Sequence, residues 1–321
     1  MSHPTSNLNK DVGICIKNVT REDLTKPDFQ SYAYDQWVKF GGLLALRGDD
    51  LAEMTSKEFM AVSQIFGKVE EAMEAAREDK SVDGLPILRI GNIRGSDGAP
   101  IAQFSNLPML ADDSEIQYNP ITRRPVWHTD STFRKNPPIG SVFHCRKAPS
   151  AGGETLFADT QTSFEQIDDQ TKDQLEKLEA VCSLAHHDKK INKYSPEYPV
   201  LTPEQRKANP PMRVPLVLRH PVTGKPALYG LNSSTCAVLP KGQAISEEDR
   251  DKWDLEGVED ESVSILKDLL PFVTSPEFTV KWTWKAGDVV IWDNRCTIHT
   301  GTGFDHVNQT REMWRTILLN N

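Results

Sequence analysis

The chain has 321 residues, enough for one large domain or two smaller ones. Only 38% are hydrophobic, the mean hydropathy is −0.50, and no apolar run approaches the roughly 18 residues of a membrane span. Against 46 Asp and Glu stand 37 Lys and Arg, giving a formal charge of −9 with no long basic cluster. That balance argues against nucleic-acid binding and requires any anionic ligand to be met by local Arg or Lys.

The opening MSHPTSNLNKDVG lacks the apolar centre of a secretory signal. Cys15, Cys145, Cys182, Cys236 and Cys296 are odd in number and show no CxxC spacing. They read as reduced thiols of a cytoplasmic protein, not as a disulfide frame or zinc site.

Residues 1–10 read as a flexible polar tail, and 11–321 as a single domain. ICIKNV is strand-like, SYAYDQWVKF has helical spacing, and GLLALRG is an apolar strand run. Residues 56–66 predict a helix capped by Thr55 or Ser56, and 69–83 continue with helical propensity. LPILRIGN reads as a strand. Residues 93–124, rich in Gly, Pro, Asn and Asp, read as a long lid-like insertion, and loops of that length are usually functional. WHTDSTF and IGSVFHCRKAP predict strands, and SAGGETLFADT a Gly-Gly turn and a strand. Residues 163–181 form the clearest helical pattern. Residues 188–212, polar and Pro-rich, suit a second lid-like loop. Next come a strand–turn–strand over PLVLRHPVTGKPALYG and a helix ending before Pro271. FTVKWTWKAGDVVIWDNRCTIHTG supplies two strands around a Lys-Ala-Gly-Asp turn, and WRTILL the last. Many short strands with few helices predict a mainly β fold with flanking helices around a jelly-roll core. A doubly wound sheet fits poorly, since strand and helix do not alternate and no GxGxxG occurs.

His128 and Asp130 are two residues apart in a predicted strand, so they share a face. Alone, the pair also fits a buried hydrogen-bonded His–Asp couple. His299 follows the apolar run GDVVIWDN, where a barrel rim is expected. Together the three make a 2-His-1-carboxylate set that leaves metal positions open, as in non-haem Fe(II) oxygenases. A second HxD, His186-His187-Asp188, reads as a solvated helix end.

WHTDSTF, APSAGGETLFADT, HPVTGKPALYG, AGDVVIWDNRCTIHTGT and REMWR, in that order, resemble the taurine dioxygenase/2,4-D dioxygenase family. The resemblance runs from about residue 11 to 319. It implies a double-stranded β-helix and an oxidoreductase using Fe(II), 2-oxoglutarate and O2. The cosubstrate would yield succinate and CO2 while an unactivated C–H bond is oxidised. His128, Asp130 and His299 match the iron ligands. Thr155 and Arg311 match the residues that contact 2-oxoglutarate, a role suited to a guanidinium because it can grip a carboxylate through two hydrogen bonds. Arg315 matches a position near the substrate's anionic group or the cosubstrate's C1 end, and in a strand it would share a face with Arg311. Because Asp130 is retained, halogenation is not expected.

After FGKV, and at Arg123-Arg124 before His128, the chain departs from the taurine enzymes, which puts taurine in doubt. Positive charge there, with Arg315, suits a small carboxylate-bearing substrate, including one derived from an amino acid. Arg124, Asn119 and Tyr118 are candidate substrate contacts, as is Phe104. Hydroxylation, desaturation and cyclisation all remain open, and the resemblance is compatible with a homo-oligomer. The rival readings are a zinc hydrolase on the same ligands and a non-catalytic binding protein. The hydrolase would not need Thr155 and Arg311 at their positions, and a decayed binding protein would usually have lost a ligand, whereas none is lost here.

Overall fold

The structure, a computed structural model, describes residues 3–10, 12–71, 81–92, 127–193, 196, 199–305 and 308–320. Strands β1 (Thr5–Asn9) and β2 (Val12–Lys17) form an antiparallel pair. The expected tail is therefore structured. The Asn9 amide fixes it by donating to the carbonyls of Pro276, Glu277 and Thr279. Helix α1 (Pro27–Lys39) begins on a proline, whose fixed φ suits the first turn. It buries Phe29, Ala33 and Trp37 on one face. Strand β3 (Leu43–Arg47) follows a Gly-Gly turn, and helix α2 (Ser56–Gln64) starts in a capping box between Thr55 and Glu58.

Strands β4 (Lys68–Val69), β5 (Ser81–Val82) and β6 (Leu85–Gly91) come next. The helical reading of 69–83 fails at both ends, which are strands, and its middle lies outside the described residues. Beyond the undescribed 93–126 come β7 (Gly140–Lys147) and β8 (Thr155–Asp159).

The predicted helix over 163–181 is three elements: α3 (Thr160–Glu165), α4 (Asp169–Leu175) and β9 (Leu178–Cys182). Asp159 caps the first helix, and Asp168, inside the predicted span, caps a new helix start, which breaks the continuous pattern. The span 188–212 is not a bare loop. Helix α5 (Leu184–Asn192) and helix α6 (Pro203–Ala208) occupy much of it, before β10 (Met212–Pro215). His186 and Asp188 are buried on α5, with His186 Nδ1 donating to the Trp253 carbonyl, so that HxD is not a solvated helix end.

Strands β11 (Val217–Arg219), β12 (Pro226–Leu228) and β13 (Thr235–Pro240) lead to helices α7 (Glu247–Glu256) and α8 (Ser264–Val273). Pro271 sits inside α8, so that helix does not stop before it. The chain closes with β14 (Thr279–Trp282), β15 (Val289–Asp293), β16 (Thr297–Gly301) and β17 (Glu312–Leu319).

Among the described residues the large sheet runs β1-β2-β3-β15-β7-β17-β6-β5, with β4 on β17. A smaller sheet runs β14-β8-β16. Between them lie Phe157, Trp282, Trp284, Val290, Trp292 and Met313, the interior of a jelly roll. The outer face of the large sheet buries Trp37, Phe59, Ile291 and Trp314 under α1 and α2. Each sheet therefore has one face turned to the interior, and its mouth is where the candidate residues gather.

Candidate metal and cosubstrate site

His299 is on β16, in register with Phe157 of β8. His128 joins that sheet through a single bridge: its N–H donates to the His299 carbonyl at 3.0 Å, and the His299 N–H donates back at 2.9 Å. This places the two imidazoles 4.3 Å apart between ring centroids. Asp130 is not on a strand, contrary to the i, i+2 reading. The chain turns at 130–133, with Ser131 at φ +51°, and the turn swings the carboxylate back towards the histidines. Asp130 Oδ1 lies 3.9 Å from His299 Nε2, and ligand atoms of His128, Asp130 and His299 all fall within 4.8 Å of one another.

The electrostatics of the cluster suit a cation. Burial opposes ionisation of Asp130, but the charges of Arg315, His299 and His128 overcome it and hold the carboxyl well below its usual range. Burial, then the neighbouring His128, pushes His299 down to about 3, so its imidazole is neutral and able to donate a lone pair. The other carboxylate oxygen, Asp130 Oδ2, is held by Arg315 at 2.9 Å and by the Ser141 hydroxyl at 3.3 Å. Arg315 also donates twice to Ser141 Oγ, at 3.1 and 2.9 Å. One oxygen is thus fixed and the other faces the histidines, which is how a one-oxygen ligand is oriented. The His299 ring packs against Trp292, 4.9 Å away between centroids.

Arg311 precedes β17, where a bulge between Glu312 and Met313 shifts the register with β7. Its Nε donates to the Gly153 carbonyl, and its guanidinium carbon lies 6.0 Å above the Trp284 ring. Trp284 Nε1 donates to Thr155 Oγ1 at 3.0 Å, leaving the threonine proton for another acceptor. Trp284 therefore joins Thr155 and Arg311 on one wall, with Phe143 and Ile90 in the same apolar interior. Among the described residues no carboxylate pairs with Arg311, and burial pushes its guanidinium down to about 10. A partly buried cation without an anionic partner is costly, and a carboxylate would relieve it.

Tyr118, Asn119 and Arg124, like Phe104 and Arg123, lie outside the described residues. Arg315 is brought to the candidate ligands themselves, as a partner of Asp130. Sequence reasoning missed two further contributors, Ser141 and Trp284. Only the FTVKWTW alternation could have placed Trp284 on the inner face.

A second group, His220, Asp293 and Cys296, also lies within 4.8 Å. Asp293 there is bound by Arg295 and by His220 Nε2, while His220 Nδ1 accepts from the Val222 and Thr223 N–H groups. The adjacent guanidinium makes it a structural tie between turns, not a cation site.

The described His/Asp/His set thus fits a divalent metal with open positions. The neighbouring Arg311 fits a dicarboxylate that reaches from that metal. Comparison with known proteins agrees. The family model described as "Taurine catabolism dioxygenase TauD, TfdA family" matches residues 19–317. The alpha-ketoglutarate-dependent 2,4-dichlorophenoxyacetate dioxygenase of Burkholderia sp. (strain RASC) is 29% identical over 227 residues, 69% of this chain and 68% of that enzyme. The (S)-phenoxypropionate/alpha-ketoglutarate-dioxygenase of Sphingobium herbicidovorans is 31% identical over 194 residues, 59% of this chain and 60% of that enzyme. The crystal structure of AAD-2 in complex with Mn(II) and N-oxalylglycine superposes with a TM-score of 0.70 at 23% identity, over 100% of this chain and 98% of that one, which shows the shared fold. The chain belongs to the taurine catabolism dioxygenase TauD, TfdA family, and with it to the Fe(II)- and 2-oxoglutarate-dependent oxygenases.

Proposed function

We propose that this enzyme oxidises an unactivated C–H bond of a small, carboxylate-bearing molecule. His128, Asp130 and His299 would hold the iron, and Thr155 and Arg311 the distal carboxylate of 2-oxoglutarate. Bound Fe(II) and 2-oxoglutarate supply the oxidising power, releasing succinate and CO2 as O2 is consumed. The observation that carries the reading is the partly buried guanidinium of Arg311, with no acidic partner among the described residues, sharing a Trp284 wall with Thr155.

The chain's own residues bind, orient and exclude water. Arg311 offers two parallel N–H donors and Thr155 one O–H. Phe143, Trp284 and Ile90 line an apolar interior that strengthens those contacts. Arg315 and Ser141 keep Asp130 ionised and pointed at the histidines. The small-anion reading draws support from Arg124 in the sequence and from the phenoxy acids named for the two relatives. Hydroxylation or oxidative ring closure both fit. A zinc hydrolase on this fold leaves Arg311 and Thr155 without a role, and a non-catalytic binder leaves the intact His128, Asp130 and His299 set without one.

The test is succinate formation from 2-oxoglutarate under air with Fe(II), across a panel of aryloxy, amino-acid-derived and aliphatic carboxylates. Stimulation by an anionic member, absent with its methyl ester, is the expected result. Stimulation equal in acid and ester would remove the anionic-substrate reading, and no 2-oxoglutarate turnover with any member would remove the oxygenase reading.

A further inference from the structure

The turn that carries two of the three metal ligands has little regular structure of its own. His128 is tied by its bridge to His299, but Thr129, Asp130, Ser131 and Thr132 make no strand or helix. Thr129 and Thr132 are both fully buried, so their polar groups need partners from elsewhere. Asn232, on the segment between β12 and β13, supplies a partner to one group of each. Its Nδ2 donates to the Thr129 carbonyl and, at 3.0 Å, to Thr132 Oγ1. Its Oδ1 accepts from the Ser234 N–H at 2.8 Å, which fixes the amide plane. Ser234 Oγ adds a longer contact of 3.4 Å to Thr132 Oγ1. Both N–H groups and the oxygen of one amide are therefore used, and the two clamped residues flank Asp130 on either side.

We propose that Asn232 is a positioning residue that sets the separation of His128 and Asp130 for metal binding. The inference rests on the assignment of His128, Asp130 and His299 as the metal site. Asn232 is not one of the candidate ligands; it acts through the turn. No other amide can replace it by simple isostery. An aspartate of the same shape would put a carboxylate oxygen against the Thr129 carbonyl and remove both donors.

The test is an anaerobic titration with Co(II), read by its visible bands and by tryptophan quenching, on the wild type, Asn232→Asp, Thr132→Val, His128→Ala and Asn9→Ala. Asn9→Ala removes an amide clamp of similar kind that holds β1 to residues 276–279 instead of to the 129–132 turn, and serves as the stability control. Asn232→Asp is expected to weaken Co(II) binding about 10- to 100-fold and to alter its bands, as loss of an outer partner of a ligand does. Thr132→Val, which keeps volume and one of the two clamps, is expected to lose less. Asn9→Ala should melt earlier yet bind Co(II) as the wild type does. A folded Asn232→Asp that binds Co(II) with unchanged affinity and bands overturns the proposal. So does a loss matched by Asn9→Ala at equal destabilisation. Should Asn232→Asp not fold, Thr132→Val decides: unchanged binding overturns the proposal and weakened binding upholds it. His128→Ala separates the two levels, because wild-type binding in that variant overturns the metal site itself.

Discussion

Replacing Arg311 by Gln removes the charge but keeps a neutral donor. Two opposite effects follow. In the ligand-free protein the guanidinium is disfavoured by burial, from 12.5 down to about 10. At 1.36 kcal/mol per pKa unit this is about 3 kcal/mol, and screening of the partly exposed side chain reduces it to about 1–2 kcal/mol. The variant should therefore melt a few degrees higher than the wild type without cosubstrate. With cosubstrate the sign reverses. A buried carboxylate that loses its cationic partner loses about 2–5 kcal/mol, equivalent to a roughly 30- to 5,000-fold rise in the 2-oxoglutarate requirement. Differential scanning fluorimetry, with and without 2-oxoglutarate, reads both effects on one sample. A variant that is less stable when free, or one stabilised by 2-oxoglutarate as strongly as the wild type, refutes this reasoning.

Other perturbations have equally definite outcomes. Thr155→Val should raise the 2-oxoglutarate requirement about tenfold, from loss of one charge-assisted hydrogen bond, with metal affinity unchanged in the same titration. Gly153→Ala should weaken 2-oxoglutarate binding too. Its φ of +68° disfavours a side chain, and a Cβ there would sit 2.8 Å from Pro149 and 3.3 Å from Arg311; kinetics of the folded variant check it. Arg124→Ala should raise the prime-substrate requirement and leave that of 2-oxoglutarate alone, and equal effects on both would reassign the residue. The metal-free protein should lose stability in acid. Burial lowers His144 to about 4 and His186 to about 3, from 6.5. The unfolded chain then binds more protons than the folded one as pH falls from about 6.5 towards those values, so folding weakens across that window. Urea midpoints at pH 7 and pH 5 measure it, and His144→Gln with His186→Asn should flatten the difference.

The sequence displays the elements whose signal is local. GLLALRG and GDVVIWDN are apolar runs long enough only for buried strands, and both pair in the large sheet. The Thr55 cap is legible because a capping box needs only two residues three apart. Non-local contacts leave no such trace. Asp168 ends what reads as one helix, since a new cap within an amphipathic stretch competes with its continuation. The tail pairs as β1 because Asn9 finds three carbonyls some 270 residues away. At the site, the types and spacing of His128, Asp130 and His299 single out the group whose ligand atoms gather within 4.8 Å. The strand argument for their geometry does not survive, because a turn held by Asn232, not a shared strand face, brings the carboxylate to the histidines. Arg315 illustrates the same limit. Its position in the pattern suggests a substrate contact, and its hydrogen bonds show a partner of Asp130.

The most direct test of the central claim is an anaerobic titration of the protein with Fe(II) and 2-oxoglutarate, followed through the visible charge-transfer absorption of the chelated cosubstrate. The account predicts a saturable band in the wild type, its loss in His299→Ala, and its displacement to much higher 2-oxoglutarate in Arg311→Gln. A folded wild-type protein without the band, or a band unchanged in His299→Ala, would contradict it.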